Sequence, residues 1–458
     1  MSMGRFKNII IVFLILLAVY QTGRLWFEDS AGSSILANIY KPKEAAPESG
    51  LKRHFAYPMR IVTGDGGGRF FISYSVADNA MRGLCDALVE DVLKDGGAIS
   101  QSGSIDWSEN LSSAAIVYEY NISVKSEEFV KAMNVRNSSL AAAIEAFDTI
   151  IIQPHEKNGS LITWYDSASR VCARINTGAL QGSDELLLAL DKVKGENNNG
   201  IYYKSSILEG MESEKNFFIP AWDKEGSPYV LGIADTDYYD SAVGVEKSTI
   251  RANLMAFFDN TSAVYDATTE TIASGDENTI VKYYSNDVLE YTSYKWDSKN
   301  TDLLDDYAAA LDFIAKRDTR MTNEIYLSNY DELKGERHFY FDYVVNGLPV
   351  IFSAQLKSSL KDQLANGIKV VVREGSLVGY TRLAYNFNVE DDYDFVNWDI
   401  SGYITGSGAD LDNFRSITLG YSANKIDLAE DNNKMSLHAE FMTIDGVSSV
   451  EALKIDAN

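Results

Sequence analysis

Ser358-Ser359-Leu360-Lys361 fits Ser-x-x-Lys, a spacing that puts a lysine amine one helical turn from a nucleophilic hydroxyl. No Lys-Thr-Gly follows it, and a solvated helix turn accounts for the same four residues. His54, His155, His338 and His438 are scattered, with neither an HExxH motif nor the His/Cys spacing of a zinc site. Gly64-Asp65-Gly66-Gly67-Gly68 is glycine-rich but lacks the Lys and Ser/Thr of a phosphate loop. Asp235, Asp237 and Asp240, and separately Asp410 and Asp412, offer alternating oxygens to calcium. Neither set has the glycine and distal glutamate of an EF-hand, so solvated acidic loops are the preferred reading. Carboxylate pairs for glycoside hydrolysis are not separable among 66 acids without geometry. These residues name no enzyme, no cofactor and no metal.

The surrounding elements are easier to read. Met81, Leu84, Cys85, Leu88 and Val92 recur on one helical face, which makes Cys85 a small core residue. Cys172 lies in an alternating strand, "SRVCARIN", and a bond between the two cysteines stays open. "YPMRIVTGDGGGRFFISYSV" predicts a hairpin, "SSAAIVYEYNISV" a strand, and "SEEFVKAM" and "SSLAAAIEAF" two helices. Asn158-Gly159, Asn346-Gly347, Glu374-Gly375 and Asp445-Gly446 predict hairpin turns, with Pro349 marking an edge strand. Leu303, Leu304, Tyr307, Leu311 and Ile314 form the apolar stripe of a further helix. Strands outnumber helices and hairpins imply antiparallel sheets, so the fold class is α+β.

Composition agrees with an exported, folded domain. The chain is 45% hydrophobic and 12% aromatic, which is globular, and its net charge of −25 argues against nucleic acid as a partner. Between Lys7 and Arg24 there is no charge, long enough with the flanking Leu25-Trp26-Phe27 to cross a bilayer. Arg5 and Lys7 keep the N-terminus cytoplasmic and export the rest. A cleaved signal needs a small-x-small site directly after the apolar run. Tyr20-Gln21-Thr22-Gly23-Arg24 stands there instead, so a retained single-pass anchor in the cell membrane is the expectation. Ala18 and Thr22 form a small-xxx-small pair and Gln21 is a helix-to-helix donor. Ile9, Leu14, Ala18, Gln21, Thr22 and Trp26 are therefore the candidate positions facing lipid or a partner helix. The expected organisation is a cytoplasmic N-terminus (1–7), an anchor (8–27), a stalk (28–50), an exported N-terminal α+β domain (51–195), a middle α+β domain (200–320) and a C-terminal β-rich domain (321–458).

The anchor ending in Leu-Trp-Phe, the acidic exported chain, "DYVVNGLPVIF … IKVVVREGSLVGYTRL" and "ITLGYSANK … LHAEFMTIDG … VEALKI" together resemble the YycH family and its sister YycI. The resemblance implies an accessory regulator of the sensor histidine kinase that controls cell-wall metabolism in low-GC Gram-positive bacteria. It also implies a YycI-like partner and contacts between membrane helices. The competing expectation is an exported, anchored module that binds or hydrolyses a cell-wall component.

Overall fold

Short β-rich runs separated by glycine turns build most of the chain. The computed structural model describes residues 48–443, apart from 75, 77–78, 104, 137, 156–158, 179–182, 194–200, 206–215, 222–226, 237–249, 251–252, 259–263, 268–270, 319, 353, 361–363, 365, 397–413 and 424–433. The span read as an anchor, with Ile9, Leu14, Ala18, Gln21, Thr22 and Trp26, lies outside the described residues. Among those that are described, no helix is long and apolar enough to cross a membrane.

The first sheet contains β1 (Arg60–Asp65), β2 (Arg69–Ser73), β3 (Ser100–Ser102), β4 (Ala114–Lys125), β5 (Ala146–His155), β6 (Gly159–Asp166), β7 (Val171–Asn176), β8 (Ile201–Lys204) and β9 (Phe218–Ala221). Their order is β3-β7-β6-β5-β4-β1-β2-β8-β9, so this sheet draws strands from both sides of residue 200. The second contains β10 (Ser227–Thr236), β11 (Val264–Ala267), β12 (Thr271–Gly275), β13 (Thr279–Tyr284), β14 (Val288–Ser293), β15 (Glu324–Leu333), β16 (Glu336–Val345), β17 (Leu348–Phe352), β18 (Ile368–Arg373), β19 (Ser376–Leu383), β20 (Tyr385–Val396), β21 (Phe414–Ala423) and β22 (Lys434–Thr443). It runs β11-β12-β13-β14-β19-β18-β16-β17-β21-β22-β10-β20, with β15 paired to β16 alone, and crosses residue 320 without a break. Hairpin neighbours pair antiparallel, while β17 and β21 run parallel, so the second sheet is mixed. With helices packed on both sheets the fold is α+β.

Turn chemistry sets the registers. Asn346 and Gly347 (φ 48° and 70°) and Glu374 and Gly375 (φ 48° and 77°) are all left-handed, as a two-residue hairpin turn requires. The β5–β6 hairpin closes with His155 opposite Gly159 (φ 81°), although Asn158 itself lies outside the described residues. So does Asp445-Gly446.

Two expectations need correction. "SSLAAAIEAF" is helical only over Leu140–Ala143, because Ala146 already opens β5, where Phe147 and Ile150 to Ile152 are buried between β4 and β6. Packing there outweighs alanine's helix propensity. Pro349 is not on an edge: β17 pairs with β16 through Leu348 and Pro349, then with β21 from Val350 onward. The proline sits where the strand changes neighbour, and its missing N–H falls at that change.

The Ala80–Asp95 helix is capped by Asn79, whose Oδ1 accepts from the Met81 and Arg82 amides, and it buries Met81, Cys85, Leu88 and Val92. The Leu303–Arg317 helix begins with a capping box between Asp302 and Asp305 and buries Leu304, Tyr307, Leu311 and Ile314 against β16, β18 and β19.

Candidate functional site

β4 carries the junction between the two sheets. Its ladder to β5 breaks between Glu119 and Val124, and β15 has a bulge at Ser328. A bulge frees backbone groups and redirects side chains. Here the two bulges meet: Asn121 Nδ2 donates to the Ser328 carbonyl (3.0 Å), and Asn366 Nδ2 donates to Ser328 Oγ and Asp342 Oδ2 (both 3.1 Å). Phe55 adds an apolar wedge, edge-on to Tyr307 and Tyr330.

Behind this seam, Arg60 is buried between the sheets. Its Nε donates to Glu119 Oε2 (2.6 Å), and its Nη1 to the Tyr74 hydroxyl (2.9 Å) and the Ile417 carbonyl of β21 (3.0 Å). Burial works against the charge, but Glu119 and Tyr74 more than reverse it and hold the guanidinium protonated. The Val76 amide donates to Glu324 Oε1 (3.1 Å), and the Tyr74 amide to the Gly347 carbonyl (3.3 Å).

In front of the seam opens a polar cleft of about 580 Å³, bordered by Lys125, Glu128, Asp302, Asp331, Glu332 and Arg337. Most of its charges already have partners. Arg337 pairs with Asp306 and with Glu332 (3.7 Å), Glu128 with Lys131 (3.2 Å), and Asp302 caps its helix. Burial, and then Glu128, push the Tyr330 phenol up, so it stays a neutral donor. The lining contains neither histidine nor cysteine, so no hydroxyl or thiol there has an imidazole base beside it. What the cleft can do is hold a polar ligand.

The residues singled out by spacing do not converge. His54 lies in a short 3₁₀ turn, His155 ends β5, His338 is in β16 and His438 in β22. Ser358 is exposed on the Ala354–Leu360 helix, and Lys361 lies outside the described residues. Asp65 fills its own glycine loop: Oδ1 accepts from the Gly67 amide (2.7 Å) and Oδ2 from Arg69 Nε (3.0 Å), leaving no anion cradle. Asp235 lies in β10, while Asp237, Asp240, Asp410 and Asp412 are outside the described residues. Among the described residues no group of three or more His, Cys, Asp or Glu is placed to hold a metal ion. Cys85 and Cys172 are buried and are not joined in a disulfide, and burial pushes the Cys85 thiol up.

His54 is instead a stability element. Burial, and then the Arg82 guanidinium, lower its pKa from the usual 6.5 to about 4. The unfolded chain therefore takes up a proton that the folded chain refuses. The contribution is fully present above about pH 6.5 and is lost as the pH falls through about 4, to the extent of roughly 3 kcal/mol. Urea midpoints measured down this pH range are expected to fall more steeply in the native chain than in His54→Gln. Parallel slopes would show that the ring is solvated.

Sequence reasoning missed Arg60, Glu324 and the cleft. The available signal was a charge inside an apolar strand, Arg60 in "PMRIVTGD". Which carbonyl it meets 357 residues later is not written locally.

No protein-family model and no curated protein matches the chain. Solved structures do. YycH from Bacillus subtilis aligns over 87% of this chain and 96% of its own, at 13% identity and a TM-score of 0.53. The C-terminal domain of YpeB from Bacillus megaterium aligns over 43% of this chain and 87% of its own, also at 13% identity, with a TM-score of 0.26. With nearly all of both molecules covered, the fold that the C-terminal hairpins suggested, and that the two sheets build, is the fold of YycH.

Proposed function

We propose that this chain is a membrane-anchored, extracytoplasmic regulator of a two-component sensor histidine kinase that controls cell-wall metabolism. The shared fold with YycH carries the reading, and the uncharged N-terminal run supports it. The mechanism is non-enzymatic. The exported sheets engage a YycI-like partner, while Ile9, Leu14, Ala18, Gln21, Thr22 and Trp26 present the anchor to lipid and to the kinase's membrane helices. A helix that favours one of two kinase arrangements shifts their balance by its difference in binding energy, about 1–3 kcal/mol for a typical coupling.

The test exchanges residues 8–27 for an unrelated span of equal length and reads a promoter controlled by the kinase. Output is expected to match that of a deletion strain, with the protein still in the membrane fraction. Native output after the exchange overturns the proposal. The size and polar lining of the cleft favour a second reading, an anchored binding or hydrolytic module for a wall component. In that case the exchange is silent and substitution of Arg337 is not.

A further inference from the structure

Residues 294–300 form an exposed tip on an otherwise acidic protein. Tyr294 is 61% exposed and Trp296 44%, yet the backbone that carries them is firmly held. The Tyr294 amide donates to the Asn278 carbonyl (2.8 Å), the Asp297 amide to Ser376 Oγ (3.2 Å) and the Lys299 amide to the Glu374 carbonyl (3.1 Å). Arg373 lies over the Trp296 indole, 4.5 Å from its centre, and also pairs with Glu336. Lys295, Lys299 and Arg373 balance Asp297, Glu374 and Glu336, so the tip is neutral whereas the chain as a whole carries −25. An ordered loop that holds two aromatics in water among cations has the composition of a membrane-interface contact, with Trp and Tyr at headgroup level and Lys and Arg drawn to anionic lipid.

The position of the tip favours that occupant. The described chain enters through the Glu48–Arg53 helix, where Lys52 pairs with Asp305 (2.5 Å) in the first turn of the Leu303–Arg317 helix. Residues 294–302 lead directly into that turn, and Thr301 abuts Gly375 of the β18–β19 hairpin. The tip thus leads into the same helix turn that the entry helix meets.

We propose that Tyr294, Trp296, Lys295, Lys299 and Arg373 dock this tip onto the anionic bilayer surface and orient the exported sheets over it. The proposal rests on the anchored reading above. Its test uses the full chain in vesicles of phosphatidylcholine containing about one-third phosphatidylglycerol, where each basic side chain near the surface is attracted to anionic lipid. An environment-sensitive dye is placed at Ser298→Cys or, as a control on the first sheet's side, at exposed Leu188→Cys; the native cysteines are buried. Nitroxide at the lipid headgroup is expected to quench position 298 about twofold more than position 188, with the difference reduced by high salt or by Lys295→Glu/Lys299→Glu. A chain that fails to float with the vesicles overturns the anchor and this proposal together. A chain that floats with equal quenching at both sites overturns this proposal alone. So does a dye at 298 that is shielded without being quenched, which would mark a protein occupant.

Discussion

Asp318→Ala is expected to destabilise the protein by about 3–5 kcal/mol, a large share of the roughly 5–15 kcal/mol that holds a domain folded. Asp318 ends the Leu303–Arg317 helix, where a carboxylate opposes the helix dipole. It is there for Arg382, which points from β19 into the core with no exposure. Asp318 Oδ1 accepts from Arg382 Nη2 (3.2 Å), and Oδ2 accepts from Arg382 Nε and from the Tyr380 hydroxyl (2.7 Å). Burial, and then Asp318, keep the Tyr380 phenol protonated and therefore a donor. Removing the carboxylate leaves a desolvated guanidinium without the counter-ion that its Nε and Nη2 meet. Urea midpoints give the loss. A cost below about 1 kcal/mol would show that water reaches Arg382 and that the pair is not dry. Asp318→Leu combined with Arg382→Met is expected to recover most of the stability, because the cost lies in the unpaired charge and not in the absence of the pair.

The same residues show what a sequence can carry. Asn346-Gly347 and Glu374-Gly375 were legible because the φ values of such a turn exclude most side chains. Lys334-Gly335 makes a third turn of the same geometry (φ 55° and 79°), joining β15 to β16, and lysine gives no hint of it. Helical stripes were legible because their period is local, as with Leu304, Tyr307, Leu311 and Ile314. The return of β8 and β9 to the first sheet was not, since strand partners are chosen by packing across the chain. Nor was the cleft, which exists because two bulges meet, and a bulge is set by what faces the strand. Arg60 and Arg382 stand in runs whose alternation calls for an apolar residue. Such a conflict between pattern and residue identifies a buried charge, but not its partner.

Arg60 turns that conflict into an inter-sheet tie, and Arg60→Lys isolates it. Lysine keeps the charge and can keep Glu119, but one ammonium cannot reproduce a planar fork that meets Glu119 through Nε while Nη1 serves Tyr74 and the Ile417 carbonyl together. Ile417 belongs to β21 and Arg60 to β1, so the lost bond is one that spans the sheets. Glu119 is partly exposed and can turn to water, which sets the expected cost at about 2–3 kcal/mol, near the lower end for breaking a buried pair. Native-state hydrogen exchange is expected to show faster opening in β1 and β21, with β12, β13 and β14 unchanged, because the junction loosens before either sheet does. Uniform acceleration across both sheets would mean that the two unfold as one unit. Native protection in Arg60→Lys would mean that Phe55, Asn121 and Glu324 already hold the junction without the arginine.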